Sequence, residues 1–177
     1  MHRIPHGRKN ESKGERRQPV LVMHGLLDSS GTWIFTGPEA GLGYLLADAG
    51  YDVWMGNSRG NTNSRRHVTL NPDGRRRERQ QFWSFSWHEM GVYDLPAMID
   101  FVLEQTSFEK LHYIGHSQGT TSFFVMASMR PEYNEKILLM NALAPVVFMS
   151  NLQSPIVRGS AQFLNTAHVM FWSVRVW

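Results

Sequence analysis

The chain contains no cysteine, so no disulfide framework holds it together and none can be read as a sign of an oxidising compartment. It has no apolar run approaching the roughly 18 residues that span a bilayer, so no transmembrane segment is expected. Residues 1–18 lack the apolar stretch of a signal peptide. There is no internal repeat and no low-complexity tract. Two scarcities are chemical. No aspartate follows Asp100, and the only histidine after His116 is His168. His88-Glu89 has no second histidine at helical spacing, and His24 and His67 have no partner motif, so neither a metal nor a cofactor is expected.

What is present suits one domain with a sizeable core: 177 residues, of which 42% are hydrophobic. The formal charge is +3. The excess gathers in Arg16-Arg17, Arg65-Arg66 and Arg75-Arg76-Arg77-Glu78-Arg79. No recognisable nucleic-acid module accompanies these runs, and the last follows the turn signal Asn71-Pro72-Asp73-Gly74. A solvated basic loop is therefore expected and no nucleic-acid partner, with contact to an anionic lipid surface as a secondary expectation. The one N-x-S/T acceptor is Asn10-Glu11-Ser12.

Hydrophobic patterning alternates short strands with helices. Val20 to Met23, Asp52 to Met55, Leu111 to Ile114 and Ile137 to Leu143 read as short buried strands. Leu42 to Ala49 reads as a helix stopped by Gly50, and Trp87 to Gln105 carries apolar residues at helical spacing with Pro96 as a kink or a start. Residues 57–81 read as loop. The order predicts an α/β protein with a mostly parallel sheet flanked by helices. Residues 1–18 form a polar, solvated lead-in, 19–166 the core and 167–177 a divergent tail.

Gly115-His116-Ser117-Gln118-Gly119 lies between the strand at Leu111 to Ile114 and an apolar helix from Thr120 onward. G-x-S-x-G in a strand–turn–helix setting is the pattern of a nucleophile elbow, which exposes a serine hydroxyl at the end of a sheet. His116 is expected to pack away from that hydroxyl. Upstream, the run Val20 to Met23 ends in His24-Gly25-Leu26-Leu27 and a small-residue loop. In the α/β-hydrolase arrangement such a loop supplies one oxyanion donor, here the Leu26 N–H. The residue after the nucleophile supplies the other, here the Gln118 N–H.

These segments, together with His2 to Gly7, Leu46 to Asn61, Ser84 to Met90 and Tyr93 to Asp100, resemble the acid lipases of animals: gastric, lysosomal and related insect lipases. The resemblance runs in order through most of residues 2–166. It implies an α/β-hydrolase fold and Ser117 as nucleophile, with Leu26 and Gln118 as backbone donors. It also implies neutral lipid esters, acylglycerols or sterol esters, as substrates, and a secreted or lysosomal setting. A serine of this kind needs a histidine base and an acid to orient it, in chain order Ser, Asp or Glu, His. Downstream of Ser117 the only candidates are Glu132, Glu135 and His168. Both glutamates fall in a connector, whereas the family's acid and histidine come much later. The chain therefore reads as part of a longer lipase, without the cap and carboxyl-terminal portion. The alternatives are an inactive lipid-binding or interaction remnant, and a related hydrolase of smaller esters or thioesters.

Overall fold

Pro19–Met23 is apolar at every position because it is the buried centre of a sheet, covered on both faces. The computed structural model describes residues 1–8 and 16–148. Its five strands are β1 (His2–Ile4), β2 (Pro19–Met23), β3 (Asp52–Met55), β4 (Leu111–His116) and β5 (Ile137–Leu143), in the order β1-β3-β2-β4-β5. β1 runs antiparallel to β3, and all the other pairs are parallel. Parallel neighbours need crossovers. α1 (Leu42–Asp48) links β2 to β3, α4 (Leu95–Thr106) precedes β4, and α5 (Gln118–Met129) leads to β5.

The period-2 alternation of the strands sorts their side chains into two cores. On one face Leu21, Met23, Trp54, Leu111 and Tyr113 meet Leu95, Ile99 and Val102 of α4 and Phe123 and Met126 of α5. On the other face Val20, Val22, Val53, Met55 and Ile114 meet Trp33 and Ala47. Helices therefore cover both faces, and the expected α/β class is the observed one.

Four segments depart from the reading of the sequence. Residues 2–4 are not solvated lead-in but edge strand β1. Arg3 pairs with the buried carboxylate of Asp52 at 2.8 Å and lies 4.5 Å from the centre of the Trp54 ring, so a polar tripeptide gains a place in the sheet. Within the loop expected at 57–81, Arg76–Phe82 forms a helix, α2. Its only buried residue is Phe82, which leaves no apolar periodicity to detect. The helical stretch from Trp87 is broken into α3 (Trp87–Glu89), a π-turn at Met90–Asp94 and then α4, with Pro96 in the first turn of α4, where its missing N–H is harmless. β5 is a strand as expected, but most of its residues are exposed, because it is the outer strand of the described sheet.

Candidate functional site

β4 passes into α5 through a single residue. Ser117 has φ 48° and ψ −112°, a backbone conformation outside the regions that side chains readily adopt. Such a residue stores on the order of 1–3 kcal/mol and persists only where its surroundings fix it. Here they do. The Ser117 N–H donates to the Leu143 carbonyl at 2.9 Å, and its own carbonyl accepts from the Thr120 N–H at 2.9 Å and the Thr120 hydroxyl at 2.6 Å. The Tyr113 hydroxyl donates to the Gly119 carbonyl at 2.8 Å, and burial pushes that phenol well above its usual range, so it stays a donor. Both glycines of the motif stand at close backbone approaches. A β-carbon on Gly115 would lie 2.9 Å from the Gly119 carbonyl carbon, and one on Gly119 would lie 2.5 Å from the Met23 carbonyl oxygen. Strand β4, helix α5 and the end of β2 thus meet at distances that only glycine allows.

The loop after β2 comes to the same point. A β-carbon on Gly25 would lie 3.3 Å from Ser117 Cβ and 3.0 Å from His116 Nδ1. The His24-Gly25-Leu26 turn and the Ser117-Gln118 turn are therefore neighbours, and His116 packs against Gly25. Leu26 is exposed, and Leu27 adopts φ 59°. Among the described residues, no acceptor hydrogen-bonds the backbone N–H of either Leu26 or Gln118, and no group hydrogen-bonds the Ser117 hydroxyl.

A polar network that the sequence reading missed holds this loop. His24 is buried. Its Nε2 accepts from the Ser58 N–H at 3.1 Å and faces Asn61 Nδ2 at 3.1 Å, so the proton sits on Nδ1 and is donated to the Gly25 carbonyl at 2.7 Å. Burial lowers the His24 pKa, and the bond to Gly25 and the charge of Asp28 oppose it only in part. The imidazole is thus held neutral. Asn57 adds a second tie: its side-chain oxygen accepts from the Ser30 N–H at 3.0 Å and from Asn61 Nδ2 at 2.8 Å, while its amide donates to the Ser30 hydroxyl at 3.1 Å. Together these bonds join the loop after β2 to the loop after β3. Arg59 then forks onto Asp94 of the π-turn, with Nε 3.0 and 2.9 Å from the two carboxylate oxygens. The cluster Asn57-Ser58-Arg59-Gly60-Asn61 was visible in the sequence as a turn, but nothing in its spacing named His24 as its partner.

The remaining candidates lie elsewhere. Glu132 and Glu135 sit in the 3-10 turn Pro131–Lys136, which precedes β5. β5 runs parallel to β4, with Leu111 opposite Ile137 and His116 opposite Leu143. The glutamates are therefore at the amino end of the sheet and Ser117 is at the carboxyl end, about 20 Å away along the strands. Glu132 is engaged by Arg130 at 2.7 Å. The structure does not bring either glutamate to Ser117. His168 lies outside the described residues.

The α/β hydrolase fold family matches residues 18–167, and the chain belongs to it. Within that family it is 52% identical to Lipase 1 of Drosophila melanogaster, over 94% of this chain and 35% of that one. It is 49% identical to gastric triacylglycerol lipase of Bos taurus, over 87% of this chain and 38% of that one. With lysosomal acid lipase/cholesteryl ester hydrolase of Homo sapiens the identity is 47%, over 89% and 38% of the two chains. These relatives bear out the acid-lipase resemblance. The chain spans 35% to 42% of the length of the lipases it matches. A solved structure of a putative alpha/beta hydrolase from Nostoc shares the fold, with a TM-score of 0.55 at 17% identity, over 93% of this chain and 45% of that one.

Proposed function

We propose that the chain carries the nucleophile half of a serine ester hydrolase of the lipase class, acting on neutral lipid esters such as acylglycerols or sterol esters. The observation that carries the proposal is the juxtaposition of Ser117, in its strained turn, with the Gly25-Leu26 loop. In this reading the Ser117 Oγ attacks the ester carbonyl and forms an acyl-enzyme as the alcohol leaves; water then releases the acid. The Leu26 and Gln118 N–H groups, which have no acceptor among the described residues, receive the oxyanion. Losing one such donor costs about 3 kcal/mol of barrier. Relatives named as triacylglycerol lipase and cholesteryl ester hydrolase support the substrate class.

A second reading is a lipid-binding or interaction protein without turnover. It is favoured by one observation: Glu132 and Glu135, the only acids after Ser117, lie at the far end of the sheet from it. The two readings separate on one preparation of the 177-residue chain. It is treated with a fluorescent serine-directed phosphonate, and hydrolysis of a short-chain p-nitrophenyl ester is followed in parallel. Labelling and turnover, both lost in Ser117→Ala, support the hydrolase. Folded protein with neither signal leaves the binding reading for this chain.

A further inference from the structure

From the structure we infer that the β3-to-α3 excursion, residues 57–86, is a docking surface for a lipid–water interface bearing anionic headgroups.

Residues 65–79 contain six arginines against two carboxylates, a surplus of four, while the whole chain carries only +3. Both carboxylates are already engaged inside the loop: Asp73 by Arg65 at 2.8 Å, and Glu78 by the Asn71 N–H at 2.7 Å. Arg66, Arg75, Arg76 and Arg77 are exposed, and their side chains have no ion pair or hydrogen bond to a described residue. Their charge is turned outward, uncompensated.

The surface is also ordered and well placed. Its base is fixed by Arg59 on Asp94 and by Ser58 on His24. Gly60 lies so close to Trp83 and Phe85 that a β-carbon would come within 2.7 Å of the Trp83 ring. Phe82 anchors α2 in the interior. At the tip, His67 Nδ1 accepts from the N–H groups of Thr69 at 3.2 Å and Leu70 at 3.0 Å. That turn holds Val68 outward at 99% exposure. The excursion leaves the carboxyl end of β3, the sheet end at which Ser117 sits. The β2 loop at that end shows Leu26, Leu27 and Phe35, all exposed.

Cations beside exposed aliphatic side chains are the composition of an interfacial surface. Surfaces that bind single-stranded nucleic acid pair their cations with free aromatic faces for bases to stack on. Here the Trp83 ring is occupied, with Arg65 5.2 Å from its centre and Phe85 packed beside it. The choice of lipid rests on the lipase reading, but adsorption needs no hydrolysis, so the two proposals fail separately.

The test is co-sedimentation of the chain with phosphatidylcholine vesicles, with and without an equimolar share of phosphatidylserine, at low and high salt. Adsorption is expected only on the mixed vesicles and is expected to fall with salt. Each arginine near such a surface is worth about a fivefold change in partition, so R75Q/R76Q/R77Q is expected to bind on the order of 100-fold more weakly. R75K/R76K/R77K keeps the charge and is expected to bind like wild type, which separates lost charge from lost folding. Val68→Ser is expected to weaken adsorption by an amount that salt does not change. Equal adsorption to pure phosphatidylcholine, or a glutamine variant that binds like wild type, overturns the inference. So does displacement of the vesicles by a duplex oligonucleotide at equal phosphate concentration, which would make the surface a polyanion site.

Discussion

Replacing Gly119 by alanine tests the claim that backbone contact between β2 and α5 fixes the elbow. The new β-carbon would lie 2.5 Å from the Met23 carbonyl oxygen, 3.0 Å from the Met23 carbonyl carbon and 3.1 Å from the His24 carbonyl oxygen. Ordinary contact begins at 3.4 Å, so one element must move by about 0.9 Å. No flexible side chain can yield, because all three atoms are backbone, and β2 is held between β3 and β4. Overpacking of this kind costs about 3 kcal/mol, the upper part of its usual range. Alanine returns up to about 1 kcal/mol through its helix preference over glycine. The net loss of about 2 kcal/mol lowers Tm by roughly 4–8 °C for a chain of this size. The movement also separates the Gly25 loop from Ser117, and a misplacement near 1 Å can cost about 100-fold in rate. Thermal unfolding by circular dichroism reads the first effect and phosphonate labelling reads the second. Gly31→Ala is the control, since its β-carbon would meet only the Ser29 hydroxyl, at 3.3 Å. If Gly119→Ala melts with wild type, the close approach does not hold the elbow and the reasoning is wrong.

Tyr113→Phe removes the hydroxyl that donates to the Gly119 carbonyl. It removes a second bond to a carbonyl that α5 also pairs, at an expected cost of about 1 kcal/mol, measured as a shift in the urea midpoint with unchanged slope. His24 predicts a pH dependence. Its folded pKa is lowered from 6.5, so as pH falls below 6.5 the unfolded chain takes up the proton first and stability drops until the folded value is passed. Above pH 6.5 its contribution is flat. In His24→Gln, the slope of unfolding free energy against pH is expected to be shallower across that acid window, and identical slopes in the two proteins would show that His24 titrates alike in both states.

The sequence disclosed the parts of the site that are built from backbone. G-x-S-x-G and His24-Gly25-Leu26 are legible because glycine spacing and strand-end position report close approach directly, and the structure puts Gly25 against Ser117. The supports of that backbone were not legible. His24, Asn57, Ser58 and Asn61 are tied by bonds spanning up to 37 residues, and no local pattern encodes a partner at that distance. Strand β1 escaped notice because its stability comes from Arg3 reaching Asp52 rather than from an apolar run. Helix α2 escaped because a seven-residue helix anchored by Phe82 alone has no periodic face.

The same sheet geometry bears on where partners for the proposed Ser117 nucleophile would come from. Among the parallel strands β2 to β5, every segment that leaves a strand's carboxyl end arrives on the side of Ser117, and every segment that enters a strand comes from the other side. His24 leaves β2, Asn57 to Asn61 leave β3, Ser117 leaves β4, and Ala144 to Val146 leave β5 and already bond to α5 through Thr120 and Thr121. Glu132 and Glu135 enter β5 and are excluded by that rule whatever their charge. In the hydrolase proposed above, an acid or a histidine borne by the parallel strands would therefore follow its strand rather than precede it. His24 itself does follow one, but its Nε2 is spent on Ser58 and its Nδ1 proton on Gly25, and burial disfavours the protonated form that a base must reach in each turnover. Its two nitrogens hold the Gly25-Leu26 loop and leave none for Ser117.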